Sequence, residues 1–287
     1  MDFSKARFRR RRWLDRCAHG LFFLATLLGV LVLAVLIWDT LRDGWRHLDW
    51  QFLTQYASRR PERAGILAGL AGTLWVIGLT IPLVLIIGIA TAIFLEEYQG
   101  QNRWARFIQL NINNLAGVPS IIYGILGLAI FVRFFQLGYV VLAATLTMTL
   151  LILPIVIVAA QEAIRSVPPS LRQASLALGA TKWQTIYRVV LPAALPGILT
   201  GFILALSRAV GETAPLIMVG VVTYIRAVPH GVMDPFTALP IQIYNWVTLP
   251  NAAFHELAAA AILVLLAVLF MMNAIAIYIR NRFQNRY

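Results

Sequence analysis

The sequence predicts an all-α polytopic membrane protein with six transmembrane helices, and three observations carry that expectation. Hydrophobic residues make up 60% of the 287 positions and charged residues only 13%, with a mean hydropathy of +0.77. A soluble domain is about 45–50% apolar and about 25% charged, so a water-soluble enzyme, a disordered tail and a fibrous protein are excluded. Charge-free runs long enough to cross a bilayer recur along the chain, each span needing about 20 apolar residues. The basic residues also divide unevenly between the segments that join those runs, as the cytoplasmic bias of Lys and Arg requires.

Gly20–Trp38 is the first run, 19 residues without a charge, or about 28 Å of helix. A basic stretch, Arg7 to Arg16, precedes it, but the run ends at Trp38-Asp39 without a small-residue cleavage site. It reads as a retained anchor, not a signal peptide. Ala64–Leu95 is charge-free for 32 residues, which predicts a span from about Gly72 with an interfacial lead-in, kinked at Pro82. Phe107–Val132 holds the third span and Phe134–Gln161 the fourth, interrupted by Pro154. Leu191–Tyr224 holds the fifth and Leu257–Ile279 the sixth. Gly65, Gly69 and Gly72, and then Gly124 and Gly127, recur at three- and four-residue spacing, which suits close helix approach in lipid.

With the N-terminus inside, the cytoplasmic segments hold 16 of the 24 basic residues and the opposite side 7, so both termini are expected in the cytoplasm. The expected organisation is a basic N-tail (1–19), a first helix (20–38), a periplasmic loop (39–63), a membrane core (64–280) with a cytoplasmic loop at 162–197, and a C-tail (281–287). Cys17 is the one cysteine, so no intrachain disulfide can form. His19, His47, His230 and His255 lack ligand spacing, and no metal or other cofactor is expected in the chain. The two lysines, Lys5 and Lys182, follow no glycine-rich phosphate loop, so any ATP and magnesium belong to another polypeptide. No Ser–Lys, Ser–His or paired-Asp arrangement suggests an intramembrane protease. Nucleic acid is not an expected partner; membrane lipid is.

The loop at 162–197 reads as two short helices around a glycine turn. Pro168-Pro169 ends the fourth span. Ser170 precedes Gln173 by a capping-box spacing, Gly179 suits a left-handed stop, and Thr181 and Gln184 make a second capping box. Pro192 and Pro196 mark the return to the membrane. A rigid capped element with short proline joints suits the transfer of motion from a soluble motor. Gln173-Ala174-Ser175, Gly179, Val189 and Leu191-Pro192 stand at the spacing of the EAA loop of binding-protein-dependent ABC importer permeases, and the segment resembles it. The resemblance implies a type I ABC importer permease fold and a coupling loop (Ser170, Gln173, Ala174, Ser175, Gly179, Thr181, Leu191, Pro192) docked on an ATPase. Gln173 replaces the family's acidic residue and Ser175 its second alanine, so a charge pair at Gln173 is not available.

Arg208 and Glu212 lie four residues apart in the fifth run, on one face of a continuous helix. Charge inside a membrane is costly, so the pair is expected to face inward. It reads as a packing ion pair, as a gating pair on the translocation path, or as a protonated Glu212 that leaves Arg208 to meet an anion. Ser207–Leu216 and Leu115–Gly124 resemble stretches of the A-type membrane subunit of the phosphate-specific importer, and Phe236–Trp246 resembles its last external loop. The resemblance implies an importer of inorganic phosphate in the bacterial inner membrane. It also implies a C-type permease partner, two copies of an ATPase and a periplasmic phosphate-binding protein. A permease for another oxyanion or solute fits the same loop, and a proton-coupled carrier would use Glu212. Trp45, Trp50, Tyr244 and Trp246 are candidates for interface anchoring or for contact with the binding protein.

Overall fold

The computed structural model describes residues 3–99, 103–221 and 224–284. Every extended element within them is helical. Helix α1 (Phe3–Gly44) leads into the short α2 (Trp50–Thr54) and then α3 (Leu67–Ile93), which continues through a π turn, Phe94–Tyr98. Next come α4 (Arg103–Ala116), α5 (Ser120–Gly127) with its own π turn, Leu128–Phe134, and α6 (Val141–Arg165). The short α7 (Pro169–Ala177) and α8 (Lys182–Thr185) precede a third π turn (Ile186–Val190) and α9 (Leu191–Val210). After these follow α10 (Ala214–Met218), α11 (Leu239–Thr248) and α12 (Ala252–Gln284). Among the described residues five stretches are long and apolar enough to cross a membrane, and α4 with the α5 segment forms a bent pair that is either a broken sixth span or a re-entrant loop.

Helix α6 is the axis of the bundle. It packs most heavily against α3 and α9, α12 packs on α9, and α11 fills the space beside α12 and α3. The main core joins Val76, Val84, Met148, Val156, Phe202 and Leu206 from these elements. Helix α1 stands apart: it packs chiefly on α12 near its C-terminal end, where Gly44 meets the backbone of Ala259 and Ala260, and its apolar stretch stays exposed. An apolar stretch left exposed on a helix is compatible with lipid or another membrane subunit, not with water.

Several elements differ from the sequence expectation. The third span is not one helix: α4 and α5 meet at 106°. Its charge-free run is not an apolar run, since α4 carries Gln109, Asn111, Asn113 and Asn114. Pro119, at the N-cap of α5, supplies no amide to continue a helix. The fifth helix stops at Val210, well short of Tyr224, because Gly211 ends it and Pro215 restarts a separate turn. The helix entering it runs unbroken from Lys182 to Val210, so Pro192 and Pro196 do not interrupt it, and α6 likewise runs unbroken from Val141 to Arg165 through Pro154. The π turn just before Pro192 relieves the crowding that its ring imposes on the carbonyl four residues back. Residues 285–287 of the expected C-tail lie outside the described residues.

The glycine spacing does mark close contacts. A Cβ on Gly72 would fall on the Thr237 carbonyl and beside Phe236, and one on Gly127 would meet Thr147. Gly72→Val is expected to destabilise the protein by about 1–3 kcal/mol, because the obstacle is backbone and cannot rotate away. A fall in the thermal melting point of the purified protein checks this; an unchanged melting point would show that the 235–238 segment yields.

Candidate functional site

Two regions concentrate polar chemistry. The first lies where α9 ends. Gly211 occupies its C-cap, the chain breaks over Glu212 and Thr213, and Pro215 starts α10. Arg208 sits in the last turn of α9 and Glu212 just beyond it, so the two do not share one helix face. They still pair, with Arg208 Nε donating to Glu212 Oε1 at 3.1 Å. The carboxylate side chain is 15% exposed and the guanidinium side chain 49%. Arg208 therefore presents free donors at the surface of this chain while Glu212 anchors it. Beside the pair, Ser207 Oγ donates to the Asn273 side-chain oxygen at 3.0 Å and links α9 to α12.

The fold brings the two resembling stretches together. A Cβ on Gly124 in α5 would lie 2.7 Å from Pro215 Cα and 2.7 Å from Met218 Cβ, so α5 rests directly on α10, just after the break that holds Glu212. Tyr123, next in sequence, is buried and donates from its hydroxyl to the Leu115 carbonyl at 2.8 Å, which ties the α4–α5 bend. The bend and the break thus form one unit around Arg208. The Phe236–Trp246 stretch faces inward: Phe236 joins the same core as Tyr123 and Leu216, and Phe236, Leu239 and Trp246 are fully buried. Trp246 packs against Phe52 and Phe254 in a core beneath α11. It is therefore not an external contact, whereas Trp45, Trp50 and Tyr244 are exposed. The sequence could not tell them apart because α11 is amphipathic, and only its packed face takes Trp246 inward.

The second region is the 162–197 loop. Helix α7 begins earlier than its serine suggested: Pro168 is the N-cap, Pro169 presets the first turn, and Ser170 makes no cap bond. Its end is as expected. Gly179 has φ +84°, Ala180 N–H donates to the Ser175 carbonyl at 3.2 Å and Gly179 N–H to that of Leu176 at 2.9 Å, which closes a Schellman motif. Thr181 and Gln184 form the full reciprocal capping box. Ser175 and Thr185 hydroxyls lie 2.9 Å apart and join α7 to α8. Gln173 and Ala174 are exposed, as are Leu171, Leu176, Leu178, Trp183 and Tyr187. Leu178 is 89% exposed. Leu191 and Pro192 lie in the continuous helix that follows.

Sequence reasoning missed what holds this element in place. Glu96 and Glu97, in the π turn after α3, meet two arginines from α6 and α7. Arg165 donates from Nε and a terminal nitrogen to Glu96 at 2.8 and 2.7 Å, a two-pronged pair. Gln161 donates to Glu96 at 2.8 Å and to Gln109 of α4 at 2.7 Å. Arg172 donates to Glu97 at 3.1 Å, to the Val167 carbonyl just after α6 at 2.7 Å and to the Ile164 carbonyl in its last turn at 2.8 Å. Lys182 lies 4.8 Å from the centre of the Tyr98 ring. The π turn after α3 is thereby clamped to α6, α7 and α8, and α6 is tied to the middle of α4. The available signal was a Glu96-Glu97 pair closing an apolar run in a chain with 12 acidic residues.

A helical bundle of membrane spans with a polar break near its middle and a clamped, apolar-faced element at one end defines a transport subunit. Residues 63–285 match the family described as binding-protein-dependent transport system inner membrane component, and the chain belongs to that family. It is a multi-pass membrane protein. Among curated relatives, it is 35% identical over 277 residues to "Phosphate transport system permease protein PstA 1" of Mycobacterium tuberculosis (strain CDC 1551 / Oshkosh), covering 94% of this chain and 90% of that protein. It is 31% identical over 278 residues to "Probable ABC transporter permease protein YqgI" of Bacillus subtilis (strain 168), covering 92% and 95%. Its fold is similar to a chain of the MetNI methionine ABC transporter in an inward-facing crystal form, with a TM-score of 0.64, 20% identity, and coverage of 76% of this chain and 95% of that one.

Proposed function

We propose that this chain is the A-type membrane subunit of an ATP-driven importer of inorganic phosphate. It lies in the inner membrane with both termini in the cytoplasm. The observation that carries the reading is the contact between α5 and the Gly211–Pro215 break, which gathers the two phosphate-importer-like stretches around one half-exposed arginine. A guanidinium presents planar paired donors suited to phosphate oxygens. Glu212, paired to Arg208, keeps it from being a permanent trap for the anion: the pair opens when phosphate arrives and closes when it leaves. The relative named for phosphate transport supports the same substrate.

The α7–α8 element is the docking face for a separate cytoplasmic ATPase, two copies of which serve the importer. Its exposed leucines and aromatics supply apolar contact, and its capped ends keep it stiff. A C-type permease completes the pathway against the half-exposed face that carries Arg208, and a periplasmic binding protein delivers phosphate. The test is reconstitution of the co-purified assembly in proteoliposomes. Phosphate-loaded binding protein is expected to stimulate ATP hydrolysis and internal phosphate accumulation together. Uptake by this chain alone, driven by a pH gradient without ATP, would overturn the reading, as would stimulation by another oxyanion but not by phosphate.

A further inference from the structure

The end of the bundle remote from α7 carries a second concentration of positive charge that the coupling and translocation sites do not use. Arg59, Arg60 and Arg63 from the loop between α2 and α3, and Arg226 from the segment after α10, line one cleft with Ser58 and Tyr224. Its volume is about 1030 Å³. All four arginines are exposed, no carboxylate lines the cleft, and among the described residues none of the four is in an ion pair. Of the acids near this end, Glu62 is exposed in the turn beside Arg63 but does not line the cleft, and three others are engaged elsewhere. Asp49 caps α2, Asp234 accepts the His230 and Gly231 amides, and Glu256 meets His47. Four like charges in one concavity repel one another and focus a positive potential that an anion relieves.

The cleft is also built on a fixed frame. The arginine-bearing loop is closed at its base, where Gly65 N–H donates to the Tyr56 carbonyl and Leu67 N–H to that of Gln55, both at 3.0 Å. The buried Gln242 side chain donates to the Gly65 carbonyl at 2.8 Å and pins the loop to α11. Ala57 and Ala64 are buried beneath it, and Pro61 begins the single 3-10 turn that ends at Arg63. Donors held in position before binding lose less freedom when the ligand arrives.

We propose that this cleft is a binding site for inorganic phosphate, separate from Arg208, which holds the anion at the end of the bundle opposite the coupling element. Guanidinium forks with the Ser58 and Tyr224 hydroxyls offer donors to several oxygens of a tetrahedral anion at once. The proposal rests on the phosphate-importer reading. A phospholipid headgroup shares the phosphate chemistry, so the two sources need separate arms.

The experiment uses the permease–ATPase complex without binding protein, in nanodiscs of phosphatidylcholine, with Arg208→Gln present throughout to remove the other anion partner. Equilibrium dialysis with radiolabelled phosphate is expected to show saturable binding. Arg59→Gln, Arg63→Gln and Arg226→Gln together should weaken it about tenfold or more, given the usual worth of charged hydrogen bonds. Arg226→Gln alone should weaken it less, and Arg133→Gln, an exposed arginine outside the cleft, should leave it unchanged. Wild-type-like binding by the triple variant would overturn the proposal. So would an absence of phosphate binding combined with native mass spectrometry in which phosphatidylglycerol is retained by the four-arginine protein and lost from the triple variant. Failure of phosphate to stimulate ATP hydrolysis in the reconstituted assembly would strike the importer reading instead. Stimulation there with unaltered binding here would strike this site alone.

Discussion

Replacing Arg208 by glutamine is expected to lower phosphate uptake by about 10- to 100-fold while the protein still accumulates in the membrane. The size follows from the worth of a hydrogen bond to a charged group, about 1.5–3 kcal/mol, since each 1.4 kcal/mol is a factor of ten. Assembly is spared because the guanidinium is half-exposed and packs little of the core. Glu212→Gln tests the pair more sharply. The amide keeps a hydrogen-bond acceptor for Arg208 Nε but removes the opposing charge, so phosphate is held too long and turnover falls, by less than for Arg208→Gln. Because the two groups touch at 3.1 Å, their effects should not add. The double variant should transport no worse than Arg208→Gln alone. Initial rates of labelled phosphate uptake in membrane vesicles decide the matter. Full transport by Glu212→Gln would end the gating account, and strictly additive losses would show that the residues act independently.

What the sequence revealed of this molecule depended on the range of the interaction. Long apolar runs near α1, α3, α6 and α12 were legible because a membrane helix satisfies its own backbone and declares itself by composition. The third span was not legible because absence of charge is not hydrophobicity: Gln109, Asn111, Asn113 and Asn114 are all uncharged and polar. The fifth was extended too far because Gly211 and Pro215, each tolerable alone in a membrane helix, together end one. Local grammar succeeded where the partners are neighbours: Gly179 stops α7 and Thr181 caps α8 with Gln184. It failed at Ser170, where the preceding proline pair had already set the helix start. The clamp of Glu96 and Glu97 on Arg165 and Arg172 joins residues 69 and 75 positions apart, and no local pattern announces such a pairing. The Arg59–Arg226 cleft was hidden for the same reason.

That clamp makes Arg172 the second position with a large expected effect. Its side chain is 22% exposed and that of Glu97 13%, so the contact is partly shielded from water and screened less than a surface pair. Arg172 spends one donor on the carboxylate and two on the Ile164 and Val167 carbonyls, at the end of α6 and just beyond it. On the proposed coupling reading, motion delivered to α7 would pass to α6 and, through Glu97, to the π turn after α3. Arg172→Gln breaks the joint without touching the exposed docking face. In the reconstituted transporter, ATP hydrolysis should persist while phosphate moved per ATP falls about tenfold. Arg172→Lys should be intermediate, since an ammonium cannot match three acceptors spread over a planar fork. Exchanging the charges, as Arg172→Glu with Glu97→Arg, should not rescue transport, because a carboxylate cannot donate to the Ile164 and Val167 carbonyls. Leu178→Ser provides the contrast: it weakens docking and should lower hydrolysis and uptake together, with their ratio kept. If Arg172→Gln also kept the wild-type ratio, α7 would transmit motion through its chain connections alone, and the side-chain clamp would be a feature of stability.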